Sequence, residues 1–271
     1  MIGGATQLVA IVGSPIAQVK SPVNFNTWFQ DHSLDLAMIP IDVRADAMPA
    51  FIDCLRGWQN MSGCVITVPY KQVVTKYLDH LSPRAALLRS VNVIRREADG
   101  TLVGDNVDGE GFLTAARQQG FEPEGQKALV LGAGGAGSAI ACSLCEAGLA
   151  ELVLSDLDSQ RAKALAEVLH NAFPAVRIGL GLGFASLAGF ALVANASPVG
   201  MLETDDLPLP AAMLETLTPG CLVADVVTSP AVTPFLQRAQ ALGAVIQTGP
   251  QMARAQMGNL GAFMGVTPLG I

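Results

Sequence analysis

The sequence predicts an α/β protein built on a doubly wound, mostly parallel sheet with a second, smaller α/β domain, and three observations predict it. Strand-like apolar runs alternate with helical stretches along most of the chain, and parallel strands need such crossovers. Gly reaches 28 of 271 residues while aromatics make up only 5%, so the core is Ala, Val, Leu and Ile packed closely on glycines. Residues Gly132 to Gly137 read G-x-G-x-x-G directly after a strand-like run and at the opening of a helical one.

Taken in order, Leu8 to Gly13 reads as a strand and Pro22 to Asp31 as a helix. Ser21-Pro22 starts that helix, since Ser is a good N-cap and Pro suits the first helical position. Ala37 to Asp42 is a strand, Met48 to Gly57 a helix and Gly63 to Val68 a strand. Asp105 to Gly120 reads as a connector: G-D-N-V-D-G, then an amphipathic helix carrying Phe112, Leu113 and Ala116. Beyond it come a strand at Lys127 to Leu131, the glycine loop, a helix from Ser138 to Ala147 and a strand at Glu151 to Ser155. A helix from Ser159 to about Asn171 leads into strands near Val176 to Leu180, Ala191 to Ala194 and Cys221 to Val227. A helix around Thr233 to Leu242, a strand at Ala244 to Gln247 and a helix from Pro250 to about Met264 complete the chain. The expected division is 1–107 for the smaller domain and 108–249 for the larger.

Composition excludes several function classes. Sixteen Lys plus Arg against 23 Asp plus Glu give a formal net charge of −7, the wrong sign for binding a phosphate backbone, so nucleic acid is set aside as a partner. Mean hydropathy is +0.43, and two runs, Ala128 to Cys145 and Ile178 to Leu202, carry no charge. Both are interrupted by glycines, the second also by Asn195, Ser197 and Pro198. Buried strands with glycine turns explain them better than the roughly 20 continuous apolar residues of a membrane span. The N-terminus lacks a basic start and an apolar stretch, so a cytoplasmic address is expected. Five cysteines, at 54, 64, 142, 145 and 221, lie mostly in apolar segments and read as reduced core thiols. Cys142 and Cys145 form a C-x-x-C without a second pair or a nearby His, so no metal is expected. His32, His80 and His170 lie in polar surroundings and read as surface residues.

The glycine loop, Gly132-Ala133-Gly134-Gly135-Ala136-Gly137, permits a tight turn and lets backbone N–H groups approach a pyrophosphate at a helix N-terminus. Asp156 stands just past the next strand, 24 residues after Gly132. That is near the offset at which a carboxylate hydrogen-bonds the adenine ribose of NAD and repels the extra phosphate of NADP. Asp158 could take that role instead, or either could cap the following helix. Lys71 ends the segment Thr67-Val68-Pro69-Tyr70, and Asp108 lies in the G-D-N-V-D-G turn, 37 residues on. Spacing does not show that they meet; together they would form a coupled acid/base pair for a hydroxyl proton.

These segments together resemble the shikimate and quinate dehydrogenase family along nearly the whole chain. The matching pieces are Gly13 to Pro22, Thr67 to Lys71, Ser90-Val-Asn92, Gly104 to Gly109, the glycine loop, Asn195-Ala-Ser197 and Gly249 to Gln256. The resemblance implies a substrate-binding domain in 1–107, a Rossmann NAD-binding domain in 108–249 and a C-terminal stretch, 250–271, that returns to the first. It implies that Lys71 and Asp108 flank the reacting hydroxyl, and that Lys71 exchanges its proton. Thr67, Asn92 and Gln256 match residues that hold ring hydroxyls, and Ser21 one that binds the carboxylate. Gly249 and Val226 match positions near the nicotinamide.

Departures sharpen the reading. Val19 stands where the family usually has a carboxylate-binding Ser, Val65 where it has Asn, and Thr228 where it has Tyr. Ser155-Asp156-Leu157 replaces the NADP-type Asn-Arg-Thr and is similar to the quinate-type branch. The expected activity is NAD-dependent, reversible oxidation of a ring hydroxyl of shikimate, quinate or a related cyclic hydroxy acid. The rival readings are a nucleotide-binding sensor without turnover and a dehydrogenase of a less polar cyclic acid. Small-molecule substrate and NAD are the expected partners, and a second copy of the chain stays open as a third.

Overall fold

The structure, a computed structural model, describes residues 2–181, 186–201, 206–269 and 271. Residues 182–185 and 202, within the second charge-free run, lie outside that set. The chain divides into two compact units, Met1–Val107 with Gln256–Ile271 and Asp108–Ala255.

The first unit contains β1 (Gln7–Gly13), α1 (Ser21–Asp31), β2 (Leu36–Asp42), α2 (Met48–Gly57) and β3 (Met61–Ile66), followed by β4 (His80–Leu81), α3 (Pro83–Leu88), β5 (Val93–Arg96) and β6 (Leu102–Asp105). Its described strands form one sheet in the order β2-β1-β3-β5-β6-β4. β1, β2 and β3 are parallel, whereas β5 runs antiparallel to both β3 and β6. The last three strands are each two to four residues long, too short for sequence periodicity to register. β1 shows why its run is continuously apolar. Val9 and Ile11 face one core cluster, Ala10 and Val12 the other, so both faces of the strand are buried.

The second unit contains α4 (Asp108–Gln118), β7 (Lys127–Leu131), α5 (Gly135–Glu146), β8 (Glu151–Ser155), α6 (Ser159–Ala172), β9 (Arg177–Leu180) and β10 (Leu192–Asn195). It continues with α7 (Ala211–Leu214), β11 (Leu222–Asp225), α8 (Pro234–Ala241) and β12 (Val245–Gln247), and α9 (Gly249–Phe263) leads back into the first unit. The strand order is β12-β11-β10-β7-β8-β9, and every pair is parallel. This is the doubly wound order of the Rossmann fold, whose ligand crevice opens where the order reverses, here between β7 and β10.

Three expectations are corrected. Ser21 is the first residue of α1 rather than its cap. The chain has already turned at Lys20 (φ −102°, ψ −16°), and no side chain caps the helix. α5 opens at Gly135, three residues before Ser138. Cys54 is exposed while the other four thiols are buried, because the buried stripe of α2 runs through Met48, Ile52 and Leu55 and misses it. No helix among the described residues is long and apolar enough to cross a membrane.

Candidate active site

In the first unit, backbone bonds gather several of the expected substrate residues at the ends of β1 and β3. Val12 O accepts from Thr67 N at 2.9 Å and Val68 O from Ser14 N at 3.1 Å. The approach needs Gly13: a Cβ there would lie 2.5 Å from Thr67 Cγ2 and 2.9 Å from Val68 O. Lys71 O accepts from Val91 N, and Asn92 O accepts from Ile66 N, both at 2.7 Å. Thr67, Lys71 and Asn92 therefore share one neighbourhood. Asn92 is buried, and its Oδ1 accepts from Val107 N at 2.9 Å. Ser21, free of a capping role, starts α1 at the far end of the loop that leaves β1. Gln256 lies half-buried on α9.

The G-D-N-V-D-G segment is more than a turn. Asp105 ends β6 and is buried, and Arg84 donates to both its oxygens, Nε at 2.8 Å and Nη2 at 2.6 Å. Ser82 Oγ and Asn106 N donate to it as well. Burial pushes this carboxyl up, but the hydrogen bonds from Arg84 and Ser82 outweigh it and leave it below its ordinary value. Asp108, buried, opens α4 in the second unit. The structure thus places Lys71 and Asp108 in different units.

In the second unit the four loop glycines do different jobs. Gly132 has φ +101°, and a Cβ there would meet Ala196 C at 2.9 Å; one on Gly137 would meet Gly132 O at 1.8 Å. Those two shape the turn. Nothing lies within 4 Å of a Cβ built on Gly134 or Gly135. They leave open space at an α5 N-terminus that no side chain caps, as a pyrophosphate approaching backbone N–H groups requires. Asp156 lies behind the loop, with Oδ2 accepting from Ala133 N at 2.7 Å and Oδ1 from Asp158 N at 2.8 Å. Of the two acids, Asp158 is the α6 cap, accepting from Gln160 N and Arg161 N. A groove of about 480 Å³ runs from Gly132 and Gly134 past Asp156, Leu157 and Arg161 to Ser197. Leu157 is fully exposed there. These features fit a dinucleotide: an open glycine cradle, an acidic residue and an apolar shelf.

Val226 and Gly249 are brought together as well. A Cβ on Gly249 would fall 2.1 Å from Val227 O and 2.7 Å from Val226 O. Among the described residues no group of three His, Cys, Asp or Glu could hold a metal ion.

Comparison with known proteins decides the family. Residues 11–94 match the model of the shikimate dehydrogenase substrate binding domain. A shikimate dehydrogenase (NADP(+)) of Rubrobacter xylanophilus is 38% identical over 239 residues, 88% of this chain and 83% of that one. The chain belongs to the shikimate and quinate dehydrogenase family. As a member it is a shikimate-dehydrogenase-type oxidoreductase on a Rossmann fold with a nicotinamide nucleotide as cofactor. Among solved structures, ligand-free 5-ketofructose reductase of a Gluconobacter strain superposes with a TM-score of 0.88 at 26% identity, covering 98% of this chain and 95% of that one. Quinate dehydrogenase of Corynebacterium glutamicum in complex with NAD gives 0.85 at 28% identity, with 97% and 95% covered.

Sequence reasoning missed Arg84, Arg161 and the buried role of Asp225. Arg84 left no signal, standing 21 residues from its partner. Asp225 left one, a carboxylate amid an otherwise apolar strand.

Proposed function

We propose that this family member reversibly oxidises a ring hydroxyl of shikimate, quinate or a related cyclic hydroxy acid, with NAD as cofactor. The observation that carries the cofactor half is the glycine cradle, open at Gly134 and Gly135 and backed by the Asp156 carboxylate. NAD supplies the hydride acceptor. Backbone N–H groups at the start of α5 hold the pyrophosphate. Each Asp156 oxygen accepts one backbone bond and keeps a lone pair for the adenine ribose.

Preference for NAD over NADP follows from charge. Two carboxylates, Asp156 and Asp158, face one guanidinium: Arg161 Nη1 is 3.7 Å from Asp156 and Nη2 3.8 Å from Asp158. The extra phosphate of NADP, a dianion, would enter a groove whose local balance is already negative. The relatives' NADP(+) names make this the finer point to test.

On the substrate side, Lys71 takes the hydroxyl proton and Asp108 is the second group on that hydroxyl. Thr67, Asn92 and Gln256 hold ring hydroxyls, and Ser21 binds the carboxylate. One observation favours a less polar acid as the physiological substrate. Val19 and Val65 pack into a single apolar cluster with Ile11, Val93 and Val107, where the family's usual Ser and Asn would offer hydrogen bonds. Losing such groups relaxes discrimination for hydroxylated substrates, an effect worth up to about 10⁴-fold.

The test is the rate of NAD and NADP reduction across shikimate, quinate and less polar ring acids, with Lys71→Ala alongside. Turnover should favour NAD and fall by about 10²–10⁴ in Lys71→Ala, with NAD affinity unchanged. Tight NAD binding without turnover on any of these acids would favour the sensor instead.

A further inference from the structure

We propose that Asp225 is a positioning residue of the dinucleotide site, holding the loop after β10 and the loop after β11 at one fixed spacing. The inference rests on the cofactor reading above and adds to it a residue that would touch neither cofactor nor substrate.

Asn195 and Asp225 are direct partners across the β10–β11 pair, each the last residue of its strand. Both are fully buried, as is Thr233. Asp225 Oδ1 accepts from Asn195 Nδ2 at 3.1 Å and from Val227 N at 3.0 Å, while Oδ2 accepts from Thr233 Oγ1 at 2.7 Å. Asn195 carries the connection onward. Its Nδ2 also donates to Val199 O at 3.1 Å, and its Oδ1 accepts from Ser197 N at 3.1 Å and Ser197 Oγ at 2.6 Å. Its backbone O accepts from Val226 N at 3.0 Å.

Two arms of this network end on backbone against which glycines assigned to the cofactor pack. The Ala196–Ser197 backbone is the surface against which Gly132 packs, and the Val226–Val227 carbonyls are the surface against which Gly249 packs. A displacement of either loop by a few tenths of an ångström would therefore move the glycine turn or the start of α9, because neither contact has room for a methyl group.

Stability does not explain the residue. Burial pushes the Asp225 carboxyl up, with its three hydrogen bonds only partly opposing this. Apolar side chains of similar size would fill the site at lower cost. Directional bonds to two loops at once are what apolar side chains cannot supply.

The experiment compares Asp225→Ala, Asp225→Asn, Thr233→Val and Thr233→Ser in the full chain, reading NAD affinity by calorimetry and KM for NAD and for the acid substrate separately. In Asp225→Asn the amide oxygen keeps the Asn195 and Val227 bonds while its NH2 turns to Thr233 Oγ1, which can accept. That variant should stay within about threefold of wild type. Asp225→Ala should weaken NAD binding and raise its KM by about tenfold or more, with the KM for the acid moving far less. If Asp225→Ala folds too poorly to assay, Thr233→Val carries the same test with a smaller loss, restored in Thr233→Ser. Lowered thermal stability with unchanged NAD affinity in Asp225→Ala and Thr233→Val would make the network merely structural and overturn the proposal. A wild-type chain that binds neither NAD nor NADP would overturn the cofactor reading itself, a distinguishable failure.

Discussion

Asp105 and Asp225 are buried aspartates that each close a strand, one in each unit, and the fold satisfies them by opposite means. Asp105 is given a counter-charge, the two-pronged Arg84, and its side chain keeps 5% exposure against 18% for Arg84. Asp225 is given only neutral donors: an amide, a backbone N–H and a hydroxyl. Both tie down residues beside the proposed chemistry, since Asp105 accepts from Asn106 N through its Oδ1 and from Asn92 N through its backbone carbonyl. The difference teaches what each carboxylate is for. An ion pair makes its members indispensable to each other, whereas a neutral cage makes geometry matter more than charge.

The largest expected effect breaks the ion pair. Arg84→Met leaves Asp105 buried without its cation, which costs about 3–5 kcal/mol, and urea denaturation should show it as a lowered midpoint. Adding Asp105→Asn to Arg84→Met should recover a large part of that loss. If the double variant is as unstable as Arg84→Met alone, the cost lies in lost packing of the Arg84 stem rather than in a stranded charge.

What the sequence made legible follows the same divide between local and distant causes. The glycine loop and Asp156 were readable because strand, turn and helix lie within one βαβ unit, and their spacing alone constrains them. Met48–Gly57 and the long parallel strands were readable for the same reason. The Arg84–Asp105 pair and the Asn195–Asp225–Thr233 network were not, because their members become neighbours only once strand order is known. Ser21 misled for a third reason: the Ser-Pro signal was sound, but Lys20 had already entered the helical turn. Thr67, Lys71 and Asn92 needed the family resemblance to be grouped at all, since β5, which pairs antiparallel with β3, is too short to announce itself.

A middle-sized effect sharpens the comparison with one substitution in two places. Asp105→Asn removes the charge that Arg84 grips through two nitrogens and should cost about 2–4 kcal/mol, while Asp225→Asn removes a charge held only by neutral donors and should stay within about 1 kcal/mol of wild type. Equal losses in the two variants would show that Asp225 depends on its charge after all.

The loop glycines offer a smaller, parallel contrast. Gly137→Ala must push Gly132 O aside and should cost about 1–3 kcal/mol of stability, whereas Gly134→Ala has open space and should fold as wild type. Calorimetry should then show Gly134→Ala binding NAD more weakly, because its methyl group occupies the pyrophosphate's approach. Undiminished affinity there would place the cofactor elsewhere.

The smallest effect is a difference of sign. Asp105 titrates below its ordinary value of 3.8 in the folded chain, so the folded state holds its proton less tightly than the unfolded one. Its contribution to stability is complete above 3.8 and is lost as pH falls through the lower, folded value. Asp225 is raised above 3.8, so its contribution is complete below 3.8 and is lost as pH rises through the higher, folded value. Subtracting the stability of Asp105→Asn from that of wild type across pH 3 to 7 should therefore give a curve that climbs with pH, and the Asp225→Asn difference should give one that descends. The sign of each slope alone decides the test. Two curves climbing together would mean that Asp225 finds a positive partner in solution, and the neutral cage would then be the wrong account of why a carboxylate sits at the end of β11.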